Sequence, residues 1–81
     1  MRIDKYLKVS RIIKRRTIAK QYLDNGLIKI NDKISKASSP IFVNDIILIN
    51  KKDGIKKYRV LCILEYATEE KAKLMYEEIA D

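Results

Sequence analysis

Apolar residues in this chain keep one period up to residue 25 and another after it. Ile3, Tyr6 and Leu7 recur with Ser10 at helical spacing, and Ile18, Ala19, Tyr22 and Leu23 do the same. From Leu27 the apolar positions alternate, with Ile28 and Ile30 facing one side and Lys29 and Asn31 the other. Such a switch commits the chain to helices first and strands afterwards. Asn25-Gly26 punctuates it, because Gly26 suits the left-handed position just past a helix C-terminus. At about 100° per residue the first set shares an arc from which Lys5 and Lys8 point away, so a first helix is expected from Ile3 to Val9 or Ser10. Thr17 is expected to cap the second helix, its hydroxyl accepting from free backbone amides.

Downstream, Asn31-Asp32 reads as a turn between two short strands, the second being Lys33-Ile34-Ser35, and Asn44-Asp45 as another before Ile46-Ile47-Leu48-Ile49. That apolar run predicts a strand buried on both faces. Lys52-Asp53-Gly54 closes a hairpin into residues 57–66, the longest strand expected. Thr68 then offers a cap, Glu69 and Glu70 suit the positive end of a helix dipole, and Ala72, Met75, Tyr76 and Ile79 follow helical spacing. The acidic closing helix, with Glu77, Glu78 and Asp81, is expected to cover the sheet. The predicted fold class is α+β: two N-terminal helices packed on a small, mainly antiparallel sheet, followed by a C-terminal helix.

Charge is distributed less evenly than apolarity. The first twenty residues hold eight of the 18 basic side chains and one of the 11 acidic ones, so the net charge of +7 resides there and residues 21–81 sum to zero. The eight are Arg2, Lys5, Lys8, Arg11, Lys14, Arg15, Arg16 and Lys20, interleaved with the helical apolar set. A folded basic surface is therefore expected rather than a disordered tail, and a surface of that kind holds a polyanion such as RNA. A charge run is often no more than a solvated helix face. Here Asp4 is the only acid among the cations, so they scarcely pair, and Lys14-Arg15-Arg16 repel one another in the unliganded fold.

Length and composition exclude other classes. An 81-residue chain makes one domain, 1–81, with a modest core, since a chain this short buries only about 60% of its unfolded surface. No catalytic domain is expected, nor any acid/base or nucleophile pair, so the chain is read as not an enzyme. With no histidine and one cysteine, no metal, cofactor or disulfide is expected, and Cys62 reads as a small buried hydrophobe within a strand. The N-terminus lacks a signal-peptide pattern and the apolar runs fall far short of the roughly 20 residues of a membrane span, so a cytoplasmic protein that does not enter membranes is expected.

The stretch RIDKYLKVSRIIKRRTIAK, continued through QYLDNGLIKIN, then KASSP and a VNDII step, resembles the S4 RNA-binding domain family over roughly residues 1–50. Within that family the likeness is greatest to short stand-alone proteins of bacterial ribosome-associated quality control, related to a ribosome-binding heat-shock protein. The resemblance implies binding of large-subunit ribosomal RNA and tRNA on a large ribosomal subunit that carries stalled peptidyl-tRNA, in support of a separate factor that adds C-terminal alanines. It carries RNA contact onto the same eight cations that charge counting selects. Asn31-Asp32 and Asn44-Asp45 stand where the family often has Asn-Gly and Gly-Asp; both pairs tolerate left-handed backbone.

Arg offers a planar fork for two phosphate oxygens, so Arg2, Arg11, Arg15 and Arg16 lead the site, with shape rather than sequence being read. Neutralising roughly five to seven phosphates would cost on the order of a thousandfold in affinity between about 50 and 200 mM salt. Lys29, Lys33, Lys36, Ser38 and Ser39 either extend this footprint or form an ordinary solvated loop. Tyr6 and Tyr22 fit core packing better than base stacking; Tyr58, Tyr66 and Tyr76 read as core or surface. A general ribosomal RNA binder remains an alternative. So does a DNA-binding regulator, although its recognition helix would show only Lys20, Gln21 and Asp24 outward. A monomer is expected.

Overall fold

The computed structural model describes residues 1–80. Helices α1 (Ile3–Val9) and α2 (Arg16–Asp24) precede strands β1 (Ile28–Ile30), β2 (Lys33–Ile34), β3 (Ile46–Lys51) and β4 (Gly54–Val60). A single helical turn, α3 (Glu69–Ala72), then leads into β5 (Tyr76–Ile79). The strands form one antiparallel sheet in the order β2-β1-β3-β4-β5. This is the α+β class that the change of period implies. Ile3, Tyr6 and Leu7 of α1 and Ala19 and Leu23 of α2 join Ile28, Ile47, Ile49, Tyr58 and Val60 of the sheet in one buried cluster, so both helices lie on the same sheet face.

Helix α1 follows its pattern. Ile3, Tyr6, Leu7 and Ser10 are buried, and Gly26 ends the second helix with φ +70°. At the start of α2 the structure corrects the expectation. Arg15, extended at φ −116°, is the N-cap, and its carbonyl accepts from the amides of Ile18 and Ala19. Thr17 thus lies inside the first turn and caps nothing, and no side chain caps that turn. Ile18, expected on the apolar stripe, is exposed, because Ala19 and Leu23 fill the narrow line of contact with α1 and the sheet.

Among the strands, the Asn31-Asp32 turn has φ of 49° and 69°, the pair of left-handed residues that a tight hairpin needs, and Asn44 has φ 76°. Strand β3 is not buried on both faces. Ile47 and Ile49 are fully buried, whereas Ile46 and Leu48 are half-buried, since register sets Leu48 between Lys29 and Lys57 and their alkyl stems cover it only partly. Strand β4 starts earlier than expected, at the Lys51–Gly54 pair, and ends at Val60 rather than Tyr66. Beyond it the amides of Leu61 and Cys62 both turn to the Met75 carbonyl, at 2.8 and 3.3 Å. Cys62 therefore lies outside any strand and is only half-buried, its Sγ 3.5 Å from the Leu74 carbonyl.

The largest departure is at the C-terminus. Thr68 caps α3 as expected, its hydroxyl accepting from the Lys71 amide, but the helix lasts four residues. Residues 76–79, which share helical spacing with Ala72 and Met75, instead pair with β4. The cause is cross-strand chemistry: Glu77 lies opposite Arg59 with Oε1 3.3 Å from Nε, Glu78 reaches Lys56 at 3.7 Å, and Tyr76 meets Tyr58 edge-to-face at 5.4 Å. A short amphipathic helix supplies no such partners and leaves the β4 edge open. The acidic segment extends the sheet instead of covering it; Asp81, expected on that helix, lies outside the described residues.

Candidate nucleic-acid interface

The cations of the first twenty residues fall into two groups around the α1–α2 corner. The first centres on Asp4, whose side chain is fully buried. Its Oδ2 accepts from Arg2 and its Oδ1 from Arg16, each at 3.2 Å, while the Lys5 amide donates to Oδ1 at 2.8 Å. Burial raises the Asp4 carboxyl, but the Arg16 hydrogen bond, the Lys5 amide and the charges of Arg16 and Arg2 outweigh it and hold it below its ordinary 3.8. One carboxylate thereby fixes two guanidinium groups whose outer parts stay in solvent, the Arg2 side chain 51% exposed and that of Arg16 41%. The Arg16 Nε is buried without a partner among the described residues.

Lys36 and Ser38 join Arg2 along one shallow cleft. They are brought there because the Ile3 amide bonds the Ser39 carbonyl at 2.8 Å and the Asp4 amide that of Ala37 at 3.3 Å. Lys29 projects from the sheet row shared with Leu48 and Lys57, opposite the face the helices cover, and Lys33 sits by the hairpin turn. Those two are not gathered with the others.

The second group surrounds the turn between the helices. Arg11 has φ +63°, a left-handed conformation that costs a non-glycine residue roughly 1–2 kcal/mol. Its amide donates to the Lys8 carbonyl and that of Ile13 to the Leu7 carbonyl, so the turn satisfies the end of α1 while throwing the Arg11 side chain outward. Lys14 and Arg15 are exposed beside it, and Lys20 continues the exposed face of α2 one turn on from Arg16. The uncapped start of α2, with no acid in its first turn, adds the positive end of a helix dipole to Lys14, Arg15 and Arg16. An anion, best a phosphate, relieves all of these at once.

Pairing is greater than the local sequence suggests. Arg2 and Arg16 share Asp4, and Lys5 Nζ is bonded to Glu65, sixty residues away. That bond and the Lys5 charge hold the Glu65 carboxyl below the usual glutamate range. Lys8, Arg11, Lys14, Arg15 and Lys20 have no such partner among the described residues. Tyr66 stands next to Glu65, 88% exposed, with Lys5 Nζ 5.8 Å from its ring centroid. Neither residue is placed at this surface by its sequence neighbourhood, because only the return of the chain past α1 brings them there. Tyr6 is core, as expected, its hydroxyl donating to the Met75 carbonyl at 2.7 Å, and burial raises its pKa.

Comparison with known proteins agrees with this architecture. The S4 domain family model matches residues 1–47. A relative from Streptococcus pneumoniae, named RQC P-site tRNA stabilizing factor, is 46% identical over 81 residues, spanning 100% of this chain and 92% of its own. A Bacillus subtilis protein of the same name is 41% identical over 76 residues, 94% of this chain and 88% of its own. The fold superposes on Heat Shock Protein 15 of Vibrio cholerae with TM-score 0.89 at 23% identity, over 99% of this chain and 82% of that one, whose structure is trimeric. It superposes on the solution structure of HP1423 with TM-score 0.85 at 29% identity, over 100% and 99%. The chain belongs to the S4 domain family and, within it, to the group of the RQC P-site tRNA stabilizing factors.

Proposed function

We infer that this chain is a non-enzymatic RNA-binding factor of the ribosome, working in the cytoplasm on the large subunit. It binds ribosomal RNA and the P-site tRNA of a stalled peptidyl-tRNA complex, and so supports alanine tailing by a separate factor. The observation that carries the reading is the joint display, at one corner, of the uncapped α2 N-terminus, Asp4-anchored Arg2 and Arg16, and Arg11, Lys14 and Arg15, unpartnered among the described residues. The names of the relatives from Streptococcus pneumoniae and Bacillus subtilis supply the tRNA and its site. Donors fixed in place suit the regular phosphate spacing of folded RNA, which is read by shape.

Pelleting with large subunits, empty or bearing peptidyl-tRNA, across a salt series tests this. Salt-sensitive binding selective for the tRNA-bearing subunit is expected, with Lys14→Glu and Arg15→Glu together lowering it at least about tenfold, since each removes an exposed phosphate partner and adds a repulsive charge. Equal binding to both subunits would reduce the function to general ribosomal RNA binding. No binding to either would refute a ribosomal role.

A further inference from the structure

Of the five tyrosines, Tyr66 alone is exposed; the others are buried or half-buried. A single exposed ring on a soluble protein needs no explanation. The surroundings of this one differ: it forms a wall of a cavity of about 230 Å³ whose other sides include Lys5, Lys8, Arg11, Lys14 and Glu65. Two sets of groups line it. In one, the Tyr66 ring and the Glu65 carboxylate are joined through Lys5, which bonds the carboxylate and sits over the ring. The other set, Lys8, Arg11 and Lys14, follows Lys5 along α1 and past its C-terminus, none of them partnered among the described residues.

A nucleotide has the same polarity. Its base offers a flat face to an aromatic ring and N–H donors to a carboxylate, and its phosphate seeks the cations. The carboxylate would repel a phosphate beside Tyr66, which fixes the orientation. A base locked in a duplex has no free face to offer the ring, whereas an unstacked one has. Glu65 and Tyr66 also lie outside residues 1–47, so the base-binding part of the subsite is additional to the matched S4 segment.

We propose that the Tyr66 cavity is a subsite for one unpaired RNA nucleotide, the base stacked on Tyr66 with Glu65 at its edge and the adjoining phosphate on Arg11 and Lys14. This deepens the RNA-binding reading and rests on it.

The test titrates the intact chain into two RNA hairpins that share a single-nucleotide bulge, one carrying 2-aminopurine there and the other an abasic residue. Wild type is expected to bind the base-bearing RNA about tenfold more tightly and to quench its fluorescence, in line with one base–aromatic stack. Tyr66→Ala should lose the preference and the quenching while still binding both RNAs at the abasic level; Tyr66→Phe should keep both effects. Equal wild-type affinity for the two RNAs, or an unchanged preference in Tyr66→Ala, would overturn the subsite and leave the basic surface standing. If wild type bound neither RNA, the RNA-binding reading would fall and the subsite with it. Displacement of the fluorescent RNA by micromolar adenosine monophosphate would overturn the strand-borne form, assigning the cavity to free nucleotides.

Discussion

Asp4 and Arg11 tie stability to surface chemistry in opposite senses. Asp4 is buried and charged, held by Arg2, Arg16 and the Lys5 amide. Because its folded pKa lies below the unfolded value, its contribution is present at neutral pH and fades as pH falls below about 4. Asp4→Asn is expected to cost about 2 kcal/mol at neutral pH, and the gap from wild type should narrow on acidification, as urea melts at several pH values will show. Arg11 behaves in the opposite way. Arg11→Gly relieves the left-handed backbone and should raise stability by about 1 kcal/mol, yet it removes a proposed phosphate partner and should lower the salt slope of RNA binding by about one. Gain of stability with loss of binding separates the two roles of that position.

At the scale of elements, the last strand decides how the sheet closes. Met75 is fully buried, and its carbonyl receives the Tyr6 hydroxyl and the amides of Leu61 and Cys62, so one peptide ties the C-terminal segment to α1 and to the end of β4. Met75→Ala should cost about 2–5 kcal/mol and Tyr6→Phe about 1 kcal/mol, whereas Leu74→Ala, at a 64% exposed neighbour, should change little. Chemical denaturation of the three variants checks the order. The Arg59–Glu77 and Lys56–Glu78 pairs are about half-exposed, so each adds only a few tenths of a kcal/mol; their larger role is to fix register.

Across the whole molecule, a net charge of +7 gathered at one corner makes folding and binding respond oppositely to salt. Among the described residues, three of the eight N-terminal cations are paired and five are not. Screening that self-repulsion should raise the thermal midpoint of the free protein by a few degrees between about 20 and 300 mM salt, while RNA affinity falls steeply over the same range. Parallel thermal melts and RNA titrations will reveal the opposed trends. A midpoint insensitive to salt would mean that the Asp4 and Glu65 pairs already offset the repulsion.

Whatever depends on near neighbours is legible in the order of residues alone. Period and punctuation specify α1, most of α2, the Asn31-Asp32 hairpin and the β3–β4 hairpin, and charge counting finds the eight cations, because each signal lies within a few residues of the element it dictates. Residues 76–79 misled because Ala72, Met75, Tyr76 and Ile79 have helical spacing, and only the free edge of β4, with Arg59 and Lys56 on it, turns them into a strand. The pairing of Lys5 with Glu65 and the standing of Tyr66 over the basic corner were likewise decided by tertiary structure, since sixty residues of chain separate partners that meet in space. Local propensity sets which elements are available; burial and cross-strand pairing choose among them and gather the side chains from which a site is made.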